Sequence, residues 1–428
     1  MGPARRRVMI ASINVIMRGL ALVAKFALLL YLSRYVGLEA VGIYGLIQSA
    51  AVLGSRFLGW GLYFEANRAL VGETPDKQVD IIIAPQWVYM GGYAVFVLIL
   101  AFSWSHWPAS WHVVLPYIVP LMLLNHQIVE LTQVLLAKQQ TFPANLAIFL
   151  NSGWAYAAAA AGLLSPEWRT LDVTLNCWLA GATMAVLVCL FALRKLPFSF
   201  AALFRPRLGW LAQAFIISAP LYLAMVGQLV NLLGDRYVLG FALSAREVGI
   251  YVMFWSFGNA VQVLVQTGLL QLSQPQLIAL YKNNHYAAFK LQLRKITYHV
   301  VLVSSVYMVL AVVLIEPVLR LVGQTEAIAF VSLFYLLLLS FFLRLVAEVC
   351  QQALYALRAD RALITTNLSA AVVMIVAACT GAITGQLLGA GWAVVMAAAY
   401  LFASQYYSLR LAIKTWREKN YPYNAASA

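Results

Sequence analysis

Long apolar runs separated by short polar segments extend along almost the whole chain. Apolar runs of about 18 residues or more are the signature of membrane-spanning helices. Twelve runs can be marked, six in each half. They lie near 8–34, 40–66, 80–104, 112–137, 142–163, 172–193, 210–239, 246–272, 296–316, 327–356, 361–384 and 389–412. The pattern predicts an all-α integral membrane protein with about twelve transmembrane helices.

The two halves of the chain also resemble each other. Residues 41–44 and 248–251 both read Val-Gly-Ile-Tyr, 207 residues apart, and Glu130 and Glu348 open similar segments 218 residues apart. Because six is an even number, duplicated six-helix lobes would be parallel repeats around a central cavity. We therefore predict an N-terminal lobe at 1–196, a basic amphipathic cytoplasmic linker at 197–209 and a C-terminal lobe at 210–428.

Polar segments predict the connections between these helices. The linker is expected to lie along the inner membrane surface, and the segment 274–295 has a similar character, so it is expected to form a second surface helix. Glu316-Pro317 and the Gly-Ala-Gly-Trp sequence at 389–392 are expected to mark turns.

Composition agrees with a membrane protein and charge predicts its orientation. The chain is 63% hydrophobic and 10% charged, with a mean hydropathy of +0.82, whereas soluble proteins carry about 25% charged residues. With both termini in the cytoplasm, 20 of the 29 Lys and Arg residues lie on the cytoplasmic side and 4 on the opposite side. The net charge of +14 is therefore explained by topology rather than by nucleic-acid binding.

Charged residues inside predicted spans are candidate functional residues, because they are costly in hydrocarbon. The cations are Arg18, Lys25, Arg56, Arg236 and Arg344, and the acids are Glu130, Asp235 and Glu348. The first two helices offer their three cations no obvious local anion, since Glu65 lies on the opposite face of its helix from Arg56. We expect the five cations to line a cavity that binds an anionic substrate. The three acids are candidates for ion coupling or for structural roles.

Each of these assignments has a structural alternative. Arg344 and Glu348 are four residues apart, where an internal ion pair is favoured over substrate contact. Asp235 and Arg236 could equally form a structural pair or cap. Polar stripes on four helices must face a bundle interior or a wet cavity, where they could simply bond one another. The stripes are His126, Glu130 and Gln133; Gln228, Asn231 and Asp235; Asn259, Gln262 and Gln266; and Arg344, Glu348 and Gln351.

Catalytic and metal-binding motifs are not evident in the sequence. It contains no P-loop, no His-Glu-x-x-His and no paired carboxylates in a loop suited to acid/base chemistry. The four cysteines lie in apolar runs without metal-ligand spacing. We expect neither an enzyme nor a metal site, and no cofactor. Transport would draw its energy from an H⁺ or Na⁺ gradient, the membrane potential or the substrate gradient.

Two segments resemble a known transporter family. They are Tyr-Val-Gly-Leu-Glu-Ala-Val-Gly-Ile-Tyr at 35–44, after a basic N-terminus and a cation-bearing first helix, and Gly-Asp-Arg-Tyr-Val-Leu-Gly at 234–240, followed by Arg-Glu-Val-Gly-Ile-Tyr at 246–251. Both are similar to the polysaccharide transporter family of the multidrug/oligosaccharidyl-lipid/polysaccharide (MOP) superfamily, the Wzx-type lipid-linked oligosaccharide flippases.

The resemblance implies a two-lobed flippase in the bacterial inner membrane. Such a protein moves undecaprenyl-diphosphate-linked oligosaccharide repeat units from the cytoplasmic to the periplasmic leaflet by alternating access, for surface polysaccharide (exopolysaccharide) biosynthesis. The implied partners are the lipid-linked anionic glycan, membrane lipids and polysaccharide polymerase or export machinery. The alternative is a multidrug and toxic-compound extrusion (MATE)-like cation antiporter of the same superfamily, whose substrates would favour an acidic cavity.

Overall fold

The structure is a computed structural model that describes residues 3–70, 72–106, 115–198 and 208–420. The helices of the first half are α1 (Pro3–Tyr31), α2 (Leu38–Gly59), α3 (Leu62–Leu70), α4 (Pro75–Ser103), α5 (Leu115–Ala137), α6 (Thr141–Leu164) and α7 (Leu171–Leu193). Those of the second half are α8 (Leu208–Leu233), α9 (Asp235–Ala242), α10 (Ala245–Val265), α11 (Gln271–Lys282), α12 (Tyr286–Val322), α13 (Val331–Ala356) and α14 (Asp360–Asn420).

Within the described residues, 11 helical segments are long and apolar enough to cross a membrane. The last of them, in α14, contains a break at Gln386, where φ is 49° and ψ is −133°, so it comprises two helices. The predicted class is confirmed: this is an all-α, multi-pass membrane protein.

Capping residues explain several helix ends. The Thr170 side chain accepts a hydrogen bond from the Val173 amide at the start of α7. Ser244 and Glu247 form a reciprocal capping box at the start of α10. Both arrangements satisfy backbone amides that have no partner inside the helix.

The contacts within the chain define two compact units. Unit 1 comprises Met1–Ala40 and Tyr44–Tyr222, and unit 2 comprises Val41–Ile43 and Leu223–Ala428. In unit 1, α6 packs against α1, α5 and α7; in unit 2, α13 packs against α10, α12 and α14.

The boundary between the units lies inside α8 rather than at the predicted linker, of which 199–207 lies outside the described residues. The first part of α8 belongs to unit 1 because Leu211 and Ala214 are buried in an apolar cluster with Leu62 and Met122.

The two halves interrupt equivalent elements. In the first half, α2 and α3 are separated at Trp60, whose φ of 48° is left-handed. In the second half, α10 and α11 are separated by a π-helical turn at Gln266–Leu270. With the 207-residue spacing of the two Val-Gly-Ile-Tyr sequences, Trp60 is equivalent in the repeat to Thr267, which lies within that turn. The first half thus has a break where the second half has a π-helical turn in a continuous helical segment, at equivalent positions of the sequence repeat.

The predicted surface helix at 274–295 is wrong. These residues form the end of α11 and the start of α12, which meet at a turn of residues 283–285. Leu277 and Phe289 are fully buried, so each helix packs one face inside unit 2 while its polar residues lie on the other. The polar character of the segment reflects two helix ends rather than a separate element.

Two predicted turns are also displaced. Pro317 lies inside α12, which continues to Val322 and ends at Gly323, with a left-handed φ of 79°. The turn predicted at 389–392 occurs earlier, at Gln386. Gly389 instead permits close packing, since a Cβ atom on Gly389 would clash with the carbonyl oxygen of Gly381. The glycine marks a helix–helix contact, which sequence alone does not distinguish from a turn.

Candidate functional site

Unit 1 contains a buried acid surrounded by aromatic rings. Glu130 of α5 is 8% exposed and accepts a hydrogen bond of 3.1 Å from the Tyr89 hydroxyl of α4. The Nε2 atom of His126, one turn earlier on α5, lies 3.8 Å from Glu130 Oε1. The Tyr93 hydroxyl lies 3.2 Å from His126 Nδ1. One turn of α5 thus presents an acid and an imidazole to two phenols of α4.

Arg56 lies beside this cluster, in the last turn of α2, and its side chain is half-buried. Its Cζ atom stands 5.1 Å from the ring centroid of Tyr63, a cation–π distance. Glu130 and His126 are within electrostatic range, but among the described residues no carboxylate oxygen lies within 4 Å of its guanidinium. A ring beneath the guanidinium leaves N–H donors for an oxyanion.

The acid in electrostatic range of Arg56 lies on α5, outside the first two predicted helices, in which no local anion is expected. Glu130 lies far along the sequence from Arg56, whereas local helix periodicity considers only residues of the same helix or its neighbour. The polar stripe on the fourth predicted span did contain Glu130, but only packing shows which cation it approaches.

Aromatic contacts hold the turn that carries Arg56. The Tyr222 hydroxyl of α8 donates a hydrogen bond of 3.1 Å to the carbonyl oxygen of Phe57, which lies in the last turn of α2. The rings of Trp60 and Tyr222 are 5.6 Å apart. Carbonyls at a helix end need partners outside the helix, so these contacts stabilise the interruption between α2 and α3.

The two cations predicted on the first helix are only partly placed. Arg18 lies in α1, but its side chain is outside the part of the structure that is described. Lys25 is exposed on α1 and makes no hydrogen bond or ion pair with the other described side chains. Their grouping with Arg56 stays a prediction.

Unit 2 contains a second acid, Asp235, which is 1% exposed. Its Oδ1 atom accepts a hydrogen bond of 2.8 Å from the backbone amide of Arg236, and its Oδ2 atom accepts one from the Tyr251 hydroxyl. The Arg236 side chain is equally buried, with its Cζ atom 4.0 Å from the ring centroid of Trp255. Arg236 is inaccessible to a substrate in this conformation, which favours its structural alternative.

Arg344 is also engaged inside unit 2. Its Nη2 atom donates a hydrogen bond of 2.7 Å to the carbonyl oxygen of Asn231, in the last turn of α8. Glu348 instead accepts a hydrogen bond of 2.6 Å from Gln266. The ion pair predicted between Arg344 and Glu348 is not formed, because each side chain bonds a partner on another element.

Polar stripes from three helices converge on a cavity of about 30 Å³ in unit 2. This volume suffices for about one or two water molecules. The lining residues are Gln228, Asn231, Leu232, Gln262, Arg344, Glu348, Gln351 and Leu401. Glu348 Oε2 and Gln262 Oε1 are buried and have no hydrogen-bond partner among the described residues. The prediction that these stripes face an interior or a wet cavity is confirmed.

The sequence matches no protein-family model and no curated protein. The fold does match solved structures. A multidrug resistance MATE family transporter of the MOP superfamily, inward-facing, has a TM-score of 0.78 at 11% identity, over 94% of this chain and 96% of that one. The lipid II flippase MurJ, in an inward closed conformation, has a TM-score of 0.73 at 12% identity, over 96% and 90%.

A third structure also matches nearly the whole chain. It is a MOP superfamily transporter from Pyrococcus furiosus, for which reverse polarity of the binding pocket suggests a different function. Its TM-score is 0.64 at 12% identity, over 95% of this chain and 96% of that one. Since all three structures are transporters that match nearly the whole chain, the protein has the fold of the MOP superfamily transporters.

Proposed function

We propose that this protein is a flippase that moves undecaprenyl-diphosphate-linked oligosaccharide repeat units from the cytoplasmic to the periplasmic leaflet. The observation that carries the proposal is the environment of the Arg56 side chain. It is a half-buried cation beside a helix interruption, with an aromatic ring as its contact and no carboxylate within 4 Å among the described residues. The substrate class, the polysaccharide pathway and the bacterial inner membrane come from the sequence resemblance.

Cost supports a role for Arg56 in binding anions. A cation inside a membrane helix is unfavourable, by up to about 2.5–3.5 kcal/mol at the helix centre on insertion scales and by less in a last turn such as that of Arg56. A guanidinium can bind two oxygens of a diphosphate in parallel, which a lysine cannot. A lipid-linked diphosphate would supply the opposite charge that offsets this cost. Lys25 and Arg18 would extend the cationic surface along α1.

Glu130 is our candidate for coupling transport to H⁺ or Na⁺. Its carboxylate is in electrostatic range of Arg56 and is bonded by Tyr89. Neutralising Glu130 would strengthen the positive field around Arg56 and favour an anionic substrate. Removing the proton would favour release. Glu130 and Arg56 could in this way link the charge state of the site to its occupancy.

The structural neighbours are compatible with this proposal. MurJ is a flippase of a lipid-linked substrate, lipid II, and the Pyrococcus furiosus transporter indicates that pocket polarity varies within this fold. Alternating access between two lobes and cooperation with polysaccharide polymerase or export machinery are further parts of the proposal.

The second candidate is a MATE-like cation antiporter. It is favoured by the MATE neighbour, by two buried acids, Glu130 and Asp235, and by the half-buried Glu348. Asp235 is occupied by Tyr251 and the Arg236 amide, and Glu348 is bonded by Gln266. A cationic drug would have to displace these contacts, so we rank this function second.

The decisive variant is Arg56→Ala. We expect polysaccharide export in cells to fall by about tenfold or more, the effect of losing a charge-assisted bond of about 1.5–3 kcal/mol. Arg56→Lys should recover part of the export, because it keeps the charge and loses the bidentate geometry. The control is Arg68→Ala, which removes an exposed cation from α3 of the same unit.

Thermal stability of the purified variants separates substrate binding from folding. Arg56→Ala should unfold at nearly the wild-type temperature. Arg56 forms no ion pair within 4 Å with a described carboxylate, so removing it breaks no ion pair. Normal export in Arg56→Ala would contradict the proposal. If Arg56→Ala lost both export and thermal stability, the result would indicate that Arg56 has a structural role. Resistance to cationic drugs that depends on Glu130 but not on Arg56 would favour the antiporter.

A further inference from the structure

One end of unit 2 is built from two helix turns and the end of α14. The turn between α11 and α12 contains Asn284, and the turn between α13 and α14 contains Arg358, both with left-handed φ values. Trp416 of α14 is 6% exposed, and its ring centroid is 5.1 Å from that of Tyr281 and 5.2 Å from that of Phe289. These contacts bring α11, α12 and α14 together, and a cavity lined by Tyr281, Leu357 and Trp416 places the turn between α13 and α14 at the same end.

Basic residues dominate this end. Its cations are Lys282, Lys290, Arg294, Lys295, Arg358, Arg361, Lys414 and Arg417, and its acids are Asp360 and Glu418. Glu418 lies 3.9 Å from Lys414, so one acid is already matched with a cation. The predicted topology places these loops on the cytoplasmic side. Anionic headgroups of that leaflet attract such a surface by about 1 kcal/mol per basic residue.

A cavity of about 410 Å³ opens between α11 and the end of α13. Its lining residues are Gln274, Pro275, Ile278, Ala279, Lys282 and Tyr355. Lys282 lies at the last turn of α11, and Tyr355 is 40% exposed. The volume falls within the range of small-molecule sites.

The lining is amphipathic along α11. An ammonium group, an amide and a phenol can donate hydrogen bonds to an anion at the end of the helix. Pro275 and Ala279 form an apolar surface. Leu272 lies three residues before Pro275 and seven before Ala279, so it is on the same helix face, and it is 68% exposed. A soluble anion would use only the polar end of this surface.

We propose that this cavity binds the phosphate headgroup of an anionic phospholipid, with Lys282 and Tyr355 at the phosphate and an acyl chain along Leu272, Pro275 and Ala279. The basic surroundings match the charge of the headgroup, and the apolar stripe matches its tail. Such a lipid would join α11 to α13. The site is independent of the transport substrate, since none of the residues assigned to substrate binding lines it.

Lipid binding to the purified full-length protein tests the proposal. Native mass spectrometry would count bound phosphatidylglycerol, phosphatidylcholine and soluble glycerol phosphate for the wild type and the variants. We expect phosphatidylglycerol to be retained about tenfold better than phosphatidylcholine, because the Lys282 ammonium repels the choline cation of phosphatidylcholine, whereas the phosphatidylglycerol headgroup has no cation. Lys282→Gln should abolish that preference. Lys290→Gln is the matched control, because this exposed lysine lies over the Tyr286 ring and does not line the cavity.

A second variant changes shape without changing charge. Ala279→Trp should fill the cavity and reduce phosphatidylglycerol binding as strongly as Lys282→Gln, while the exposed position leaves the fold intact. Equal retention by Lys282→Gln and Lys290→Gln would overturn the proposal. So would binding of glycerol phosphate as tight as that of the phospholipid, or equal retention of phosphatidylcholine by the wild type.

Discussion

Each unit of this protein buries a carboxylate that accepts a hydrogen bond from a tyrosine, and the two carboxylates have different surroundings. In unit 1, Tyr89 donates a hydrogen bond to Glu130, and the nearby cation Arg56 is half-buried and lies over the Tyr63 ring. In unit 2, Tyr251 bonds Asp235, and the neighbouring Arg236 is 1% exposed. The same pairing of acid and phenol therefore occurs with an accessible cation in one unit and an enclosed cation in the other.

The difference shows how burial divides structural from functional charges. A fully enclosed cation must be matched locally, since desolvation would otherwise cost several kcal/mol. Arg344 meets this requirement with the Asn231 carbonyl and the field of Asp235. Arg56 is only half-buried, so its guanidinium needs fewer hydrogen-bond and ion-pair partners within the protein. We infer that unit 2 uses its buried charges for stability, whereas unit 1 keeps one for a ligand.

Removing the acid from each unit should give the largest contrast. Asp235→Ala should lower the free energy of unfolding by about 3–5 kcal/mol, because it removes a buried carboxylate that lies in electrostatic range of the buried Arg236 and Arg344. Glu130→Ala should cost only about 1–3 kcal/mol, the penalty of an unsatisfied Tyr89 hydroxyl. Thermal unfolding in detergent and the yield of folded protein measure both. Equal losses would break the distinction between the units.

Isosteric neutralisation sharpens the comparison for transport. Glu130→Gln should reduce the stimulation of export by an imposed proton gradient about tenfold, equivalent to about 1.4 kcal/mol, because Glu130 is in range of Arg56. Glu348→Gln is the matched variant, since the Glu348 carboxylate accepts a hydrogen bond from Gln266 and lines a small cavity in unit 2. It should retain the stimulation. The opposite pattern would move ion coupling to unit 2.

The aromatic partners of the two arginines should give the smallest effect. Trp255→Phe should destabilise the protein by about 1 kcal/mol, since an indole binds a desolvated cation better than a phenyl ring does. Tyr63→Phe should change stability by less than about 0.5 kcal/mol, because it preserves the ring face beside a half-buried arginine. Chemical denaturation of the two variants side by side would test this. A larger effect at Tyr63 would indicate that Arg56 is structural.

Much of the helical architecture is predictable from the sequence because its signals are local. Apolar length locates the spans, and Ser244 with Glu247 marks the start of α10 by a capping box. The convergence of polar stripes on a cavity is also predictable, since hydrocarbon cannot satisfy amides and carboxylates. Gln228, Gln262 and Glu348 all lie where this requirement places them.

The sequence by itself determined the membrane class, the number of spans and the set of candidate charges, because hydrophobic length and the cost of buried ions depend on residue identity alone. Only the tertiary structure decided which charges meet. Arg344 bonds the Asn231 carbonyl instead of Glu348, four residues away, and Arg56 lies near Glu130 of a distant helix. The partner of each buried charge depends on which helix faces pack together and on which carbonyls at a helix end lack a partner inside the helix. The spacing of residues within one helix predicts neither.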